Sequence, residues 1–252
     1  MKILAITQAR IGSTRLPEKI MKKINGETLL EIHLKRILQS KLITKLKVAT
    51  TIEPDAIQIV DICDKLGIET YRGSLNNVLE RFYLTALPES PDWVVRLTSD
   101  CPLIDAVEID KVILHAISNN FDYVSNTLQP TYPDGIDVEV FKFAALEKAF
   151  KEATLTSELE HVTPFIWKNS TFKGENLFTS DCVTNSKDFS QIRLTVDTIE
   201  DFQVIEKLIE LLGTDKPWME YVNKLENSPE IMRINAKFQR NEGYQKSINI
   251  EK

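Results

Sequence analysis

Through its first half the chain alternates short apolar strands with amphipathic helical stretches. That order commits it to an α/β fold, a mostly parallel sheet covered by helices on both faces. Residues 2–7 read as a buried first strand, 46–50 as a second, 68–71 as a third and 93–98 as a fourth. Between them lie helical faces: Leu30, Leu34, Ile37 and Leu38; then Ala56, Ile59, Val60 and Cys63; then Leu79, Phe82, Tyr83 and Ala86. Ile109, Val112, Ile113, Ala116 and Ile117 form the clearest helical stripe, at the i, i+3, i+4, i+7 spacing of a helix that buries one side. Gly67 stands where a left-handed cap would end the second helix.

The second half changes character. Ile136, Val138 and Val140 alternate with Asp137 and Glu139, a strand with one acidic face. That face either meets solvent or offers carboxylates to a ligand. Residues 191–196 read as another strand, and Phe202, Ile205, Ile209 and Leu212 as a helix. The chain thus divides into an α/β domain over residues 1–213 and a C-terminal extension over 214–252, one or two short helices and a polar tail. With 252 residues the main domain can bury a large core without staples. Only the polar C-terminal end is left open to disorder.

A net charge of −6 argues against nucleic acid as a partner, since such a surface needs cations to displace counterions from phosphates. Cys63, Cys101 and Cys182 lie far apart and form no CxxC pair, which fits a reducing compartment. The apolar run at residues 3–6 is too short for a signal peptide or a membrane span. These features predict a cytoplasmic protein with no membrane partner. No GxSxG elbow, HExxH helix, zinc spacing, GxGxxG loop or Walker A order occurs.

The loop after the first strand concentrates chemistry. Residues 8–19 carry Arg10, Arg15 and Lys19, the hydroxyls of Ser13 and Thr14, and Gly12, which lets backbone N–H groups approach an anion. Either it is a solvated basic turn or it binds a polyphosphate. Its place at the carboxyl edge of the sheet and its three cations favour phosphate. Asp100 and Asp197 each follow a predicted strand, so a parallel sheet can bring both to one crevice; paired carboxylates are what Mg²⁺ needs beside substrate phosphates.

His33 and His115 fall on polar helix faces and read as surface residues. Arg81 either binds a nucleotide or pairs with an acid, and Arg96 and Arg193 read as partners of sheet-edge carboxylates. Glu200 and Asp201 follow Thr198 as a helix cap. Asn126, Tyr132, Asp134, Asp137 and Glu139 could bind sugar hydroxyls, and His161, after Glu160, either contacts a sugar or is a hydrogen-bonded residue near a proline.

The loop pattern A-R-x-G-S-x-R-x-P-x-K resembles the signature of the CMP-sugar synthetases, the acylneuraminate and 3-deoxy-manno-octulosonate cytidylyltransferases, and above all their spore-coat polysaccharide branch. Further similar blocks include Arg72-Gly73-Ser74, residues 78–83, 98–104, 122–127 and 132–140, Glu160-His161-Val162-Thr163-Pro164, and Thr195-Val196-Asp197-Thr198. Gln8 stands where many relatives carry proline. Glu27 replaces a common lysine, removing a cation near the nucleotide.

The resemblance implies a Rossmann-like fold of the nucleotide-diphospho-sugar transferase type, and transfer of CMP from CTP to an acidic or modified sugar with loss of pyrophosphate. It implies Mg²⁺ on Asp100 and Asp197, and nucleotide binding by Ala9, Arg10, Gly12, Ser13, Arg15, Lys19, Arg81 and Asp100. Arg10, Lys19 and Asp100 would be catalytic. Asn126, Tyr132, Asp134, Asp137, Glu139, Glu160 and His161 would bind the sugar. A homodimer is also compatible with it. Two other readings remain: a sugar-nucleotide glycosyltransferase, which would carry D-x-D where Thr98-Ser99-Asp100 stands, and a non-catalytic nucleotide-binding relative, which would be expected to lose the loop cations.

Overall fold

The structure, a computed structural model, describes residues 1–250. Strand β1 (Ile3–Gln8) leads through the basic loop to a small hairpin, β2 (Lys23–Ile24) with β3 (Glu27–Thr28), and then to helix α1 (Leu29–Ile37). There follow β4 (Lys45–Thr51), α2 (Ile57–Lys65), β5 (Glu69–Gly73) and α3 (Val78–Ala86). β6 (Trp93–Thr98) and α4 (Ala106–Ser118) complete the regular alternation. Thr28 opens α1 with a capping box, its hydroxyl accepting from the Glu31 N–H while the Glu31 carboxylate accepts from the Thr28 N–H. Gly67 ends α2 with a φ of +68°, as the sequence predicts.

The rest of the sheet comes from β7 (Tyr123–Ser125), β8 (Glu139–Lys142) and β9 (Ser180–Cys182). The seven strands lie in the order β5-β4-β1-β6-β8-β7-β9. Among the described residues β8 alone runs against its neighbours, antiparallel to both β6 and β7. Burial on both faces explains the unbroken apolar strands. On β1, Ile3 and Ala5 enter one core with α1, α2 and α4, whereas Leu4 and Ile6 enter the opposite one. The second core is covered by α3, α5 (Phe143–Glu152), α6 (Thr156–His161) and α7 (Pro164–Lys168).

A third apolar cluster joins α8 (Ile199–Leu212) to α9 (Trp218–Glu226), with α10 (Pro229–Met232) beside them. Phe202, Ile205 and Ile209 of α8 pack there with Trp218, Tyr221 and Leu225 of α9.

Three expectations change. Residues 191–196 form no strand; they make one isolated bridge, Arg193 to Asp134. Their apolar alternation is real, because Ile192, Leu194 and Val196 are buried, but the segment is held by short bonds to a loop instead of a ladder. Asp134 N–H donates to Ile192 O at 2.9 Å and Leu194 N–H to Asp134 O at 2.6 Å. Gly135 makes this approach feasible: its φ is +112°, and a Cβ there would lie 2.6 Å from the Leu194 carbonyl carbon and the Thr195 nitrogen. Second, the polar end is not irregular throughout. Residues Glu242–Ile250 form α11, and residues 251–252 lie outside the described part. Third, His33 is fully buried, with its Nδ1 2.9 Å from Cys101 O and its Nε2 3.0 Å from Thr7 Oγ1. A carbonyl can only accept, so Nδ1 carries the proton and Nε2 accepts from the threonine. Burial pushes its pKa down to about 4, keeping it neutral.

Candidate active site

A cleft of about 870 Å³ opens beyond the carboxyl ends of β1 and β6, where open α/β sheets bind ligands. β1 ends at Gln8, and the loop after it runs along one wall. The Ala9 N–H still pairs with Ala49 O at 3.1 Å, which anchors the start of that loop to β4. Gly12, Ser13 and Arg10 follow on the cleft wall. A short 3-10 turn over Lys19–Met21 then buries Ile20 and leaves Lys19 facing the cavity.

Arg81 reaches the same wall from α3. It is 2 % exposed, donates to Ser74 O at 2.6 Å, and its buried Nε has no hydrogen-bond partner. Burial, followed by the nearby charge of Arg10, lowers its pKa to about 10, still a cation at neutral pH. Two guanidinium groups thus share this corner, an arrangement suited to a polyanion.

Asp100 and Asp197 meet at the floor. The Val196 N–H donates to Asp100 O at 2.8 Å and Thr195 Oγ1 does so at 3.1 Å, so the backbone ties the two segments together. Lys19 Nζ sits between their carboxylates, 3.0 Å from Asp100 Oδ2 and 2.8 Å from Asp197 Oδ1. Arg15 approaches Asp197 Oδ1 at 2.9 Å and Glu242 at 3.3 Å. Burial opposes the charge on Lys19, yet Asp100 and Asp197 together hold its pKa above the ordinary value. Burial likewise works against the Asp100 carboxylate, and Lys19 outweighs it, holding Asp100 well below the usual range.

Arg193 is the second organiser. Its fork binds Asp201 twice, at 2.8 and 3.1 Å, Asp134 at 2.6 Å and Asp197 Oδ2 at 3.1 Å. Asp201 also caps α8 through Thr198, so the capping role and the ion pair coexist on one carboxylate. Arg193 is therefore the partner of carboxylates that the sequence suggests, and Arg96 is another, paired with Glu139.

The opposite wall is more heavily paired. Glu139 lines the cleft, but its oxygens also accept from Tyr123 Oη at 2.6 Å and Thr163 Oγ1 at 2.5 Å. Asp137 pairs with Arg240 and Asp134 with Arg193. Burial, with Asp137 beside it, pushes Asp134 up to about 7 despite Arg240 and Arg193. Glu160 accepts from Ser247 Oγ at 2.7 Å, and His161 Nε2 lies 3.0 Å from that hydroxyl.

Two residues grouped with the sugar site lie elsewhere. Asn126 is buried behind the wall, donating to Ile136 O at 2.7 Å and accepting from Val138 N–H at 2.9 Å, and so shapes the approach to β8. Tyr132 is buried against Trp218 with its hydroxyl 2.6 Å from Lys111 Nζ. Neither lines the cleft. Conversely, Arg240, Glu242, Tyr244 and Ser247 act at this wall although nothing in their local pattern marks them. Tyr244 lies edge-on to His161, with ring centroids 5.2 Å apart.

Among the described residues no group of three or more His, Cys, Asp or Glu is placed to hold a metal ion, and no helix is long and apolar enough to cross a membrane.

Residues 4–238 match the family described as cytidylyltransferase. An uncharacterized protein of Methanocaldococcus jannaschii is 39% identical over 241 residues, 94% of this chain and 95% of that protein. The spore coat polysaccharide biosynthesis protein SpsF of Bacillus subtilis is 31% identical over 237 residues, 90% of this chain and 95% of its own length. The solved structure of a cytidylyltransferase from Leptospira borgpetersenii aligns with a TM-score of 0.86 at 34% identity, covering 92% of this chain and 97% of that one.

Proposed function

This chain belongs to the cytidylyltransferase family, and from that premise we propose that it transfers CMP from CTP to a sugar destined for a surface polysaccharide, releasing pyrophosphate. The observation that carries the reading is the meeting of Arg15 and Lys19 with Asp100 and Asp197 at one cleft floor.

In this reading Arg10, Arg15, Lys19 and Arg81 take the triphosphate, with Ala9, Gly12 and Ser13 offering loop backbone to it. The sugar lies on the opposite wall, near Asp134, Asp137, Glu160 and His161, with Glu139 held in place behind them. A sugar hydroxyl attacks the α-phosphorus; the new O–P bond forms as the bond to pyrophosphate breaks, and the hydroxyl proton passes to water. Lys19 and the two arginines of the loop neutralise the departing pyrophosphate. Transfers of this kind depend mainly on alignment and charge, which a loop fixed at both ends provides.

Two carboxylates that already share a cation fit Mg²⁺, an ion that keeps waters and takes further oxygens from phosphates. Asp100 and Asp197 would hold it, and when bound it would withdraw charge from the phosphate oxygens. SpsF, by its name, serves spore coat polysaccharide, and that supports a sugar acceptor.

The test is incubation with each of four nucleoside triphosphates and a panel of sugars and sugar acids, following pyrophosphate. Release is expected with CTP, and Asp197→Ala should lower it by roughly 100-fold or more. UDP release from a UDP-sugar, or tight nucleotide binding without turnover across the panel, would replace this reading.

A further inference from the structure

Lys19 stands between the two carboxylates that would hold a metal ion. Its Nζ lies 3.0 Å from Asp100 Oδ2 and 2.8 Å from Asp197 Oδ1. Mg²⁺ takes oxygen ligands closer than an ammonium does, at about 2.0–2.1 Å, so an ion held by Asp100 and Asp197 together would compete with the ammonium for the space between them. The remainder of Asp197 is committed too: Arg15 shares Oδ1 at 2.9 Å and Arg193 holds Oδ2 at 3.1 Å. A divalent ion approaching the pair meets a carboxylate already ringed by cations, and like charges a few ångströms apart in a partly buried site repel strongly.

The three cations differ in how readily they can leave. Arg193 is buried and locked by Asp134 and Asp201. Arg15 is partly exposed and has Glu242 as a second partner. Lys19 ends in a single charged atom on a flexible four-carbon stem, so a rotamer change moves its whole charge. Both mobile cations border the wall formed by the loop after β1, where a polyphosphate would offer them a more highly charged partner.

Resting on the reading that this cleft takes a nucleoside triphosphate with a divalent ion, we propose that Lys19 is an exchangeable placeholder. Its ammonium occupies the metal position between Asp100 and Asp197 and shifts onto the triphosphate when nucleotide binds. Metal and nucleotide therefore enter together. The unusual corollary is that removing a cation from the nucleotide loop improves metal binding to the protein alone.

The experiment titrates the full chain with Mn²⁺, reading the free ion by electron paramagnetic resonance, for wild type, Lys19→Met, Lys19→Gln, Lys19→Arg and Lys19→Met/Asp100→Asn. Wild type is also titrated with CTP present, corrected for Mn²⁺ held by CTP in solution. Without nucleotide, Lys19→Met and Lys19→Gln are expected to bind Mn²⁺ about tenfold or more tightly than wild type, a coupling of ordinary size between two sites. Lys19→Arg should stay at the wild-type level, and the double variant should lose the gain, placing the ion at the aspartate pair. Thermal melts identify any variant that fails to fold, and the second neutral substitution then stands in for the first. If wild type alone binds Mn²⁺ as tightly as the neutral variants, the placeholder role is overturned while the metal reading stands. If neither wild type with CTP nor any variant holds Mn²⁺, the metal reading itself is overturned.

Discussion

Two cation-centred nodes share Asp197 yet are built in opposite ways. At the cleft floor, Lys19 joins Asp100 and Asp197 with one ammonium whose side chain keeps 15% of its exposure. One shell deeper, Arg193 joins Asp134, Asp197 and Asp201 with a planar fork, its side chain 7% exposed and Asn235 donating to Asp201 behind it. The arginine's five donors are directional and mutually fixed, so it holds several acids in a set geometry; the lysine is a point charge with no preferred angle. The comparison teaches that an ion pair's role follows from head-group shape and hydration as much as from charge. The deep node holds Asp197 in position through Oδ2, and the outer one occupies Oδ1, which Arg15 shares.

The comparison is most directly broken by Arg193→Met. That change leaves Asp134, Asp197 and Asp201 without their shared cation, and we expect a loss of about 3–5 kcal/mol in urea unfolding. Lys19→Met removes one cation from a partly buried pair but leaves Asp197 bound to Arg15 and Arg193, and should cost less, about 1–3 kcal/mol by the same measurement. Equal losses would erase the distinction between holding and exchanging.

A pH profile sharpens it. Asp134 sits at about 7 against an ordinary value of 3.8, so the folded protein binds this proton more tightly than the unfolded chain does. Its contribution to stability is complete below about pH 4 and is lost as pH rises through about 7. Asp201, whose pKa is lowered in spite of burial because Arg193 binds it, acts in the opposite sense: its contribution is lost on acidification. Asp134→Asn should therefore flatten the decline in melting temperature between about pH 4 and 7 while leaving the acid limb in place. An unchanged slope would remove Asp134 as its source.

The smallest effect belongs to an ion pair outside both nodes. Lys35 and Glu27 pair at the surface, and Lys35→Ala should shift stability by less than about 0.5 kcal/mol in the same unfolding assay. A larger shift would mean that exposure does not weaken this pair relative to the two nodes.

How much of the site was legible varies with distance along the chain. Arg10, Arg15 and Lys19 fall within a single loop, and their clustering is visible without any fold. Asp100 and Asp197 were found because each follows an apolar stretch, although the second stretch proved to be a buried loop braced at Gly135 and not a strand. Asn126 and Tyr132 were misplaced because a polar side chain beside a candidate site has no sequence mark telling whether it faces the cleft or braces the wall behind it. His33 failed for a related reason: its partners, Thr7 and the Cys101 carbonyl, are supplied by other segments. Strands β7 and β9 are three residues each, too short for alternation to register.

Local order along the chain settled the layered α/β architecture, the basic loop at the end of the first strand and the helix caps, because periodicity and capping act over a few neighbouring residues. Only folding decided that Lys19 lies between Asp100 and Asp197, that Arg193 collects Asp134, Asp197 and Asp201, and that helix α11 forms part of the cleft wall. Those contacts join residues 4 to 227 positions apart. Their strength comes from excluding water around opposed charges, and burial of that kind exists only once the distant segments have packed.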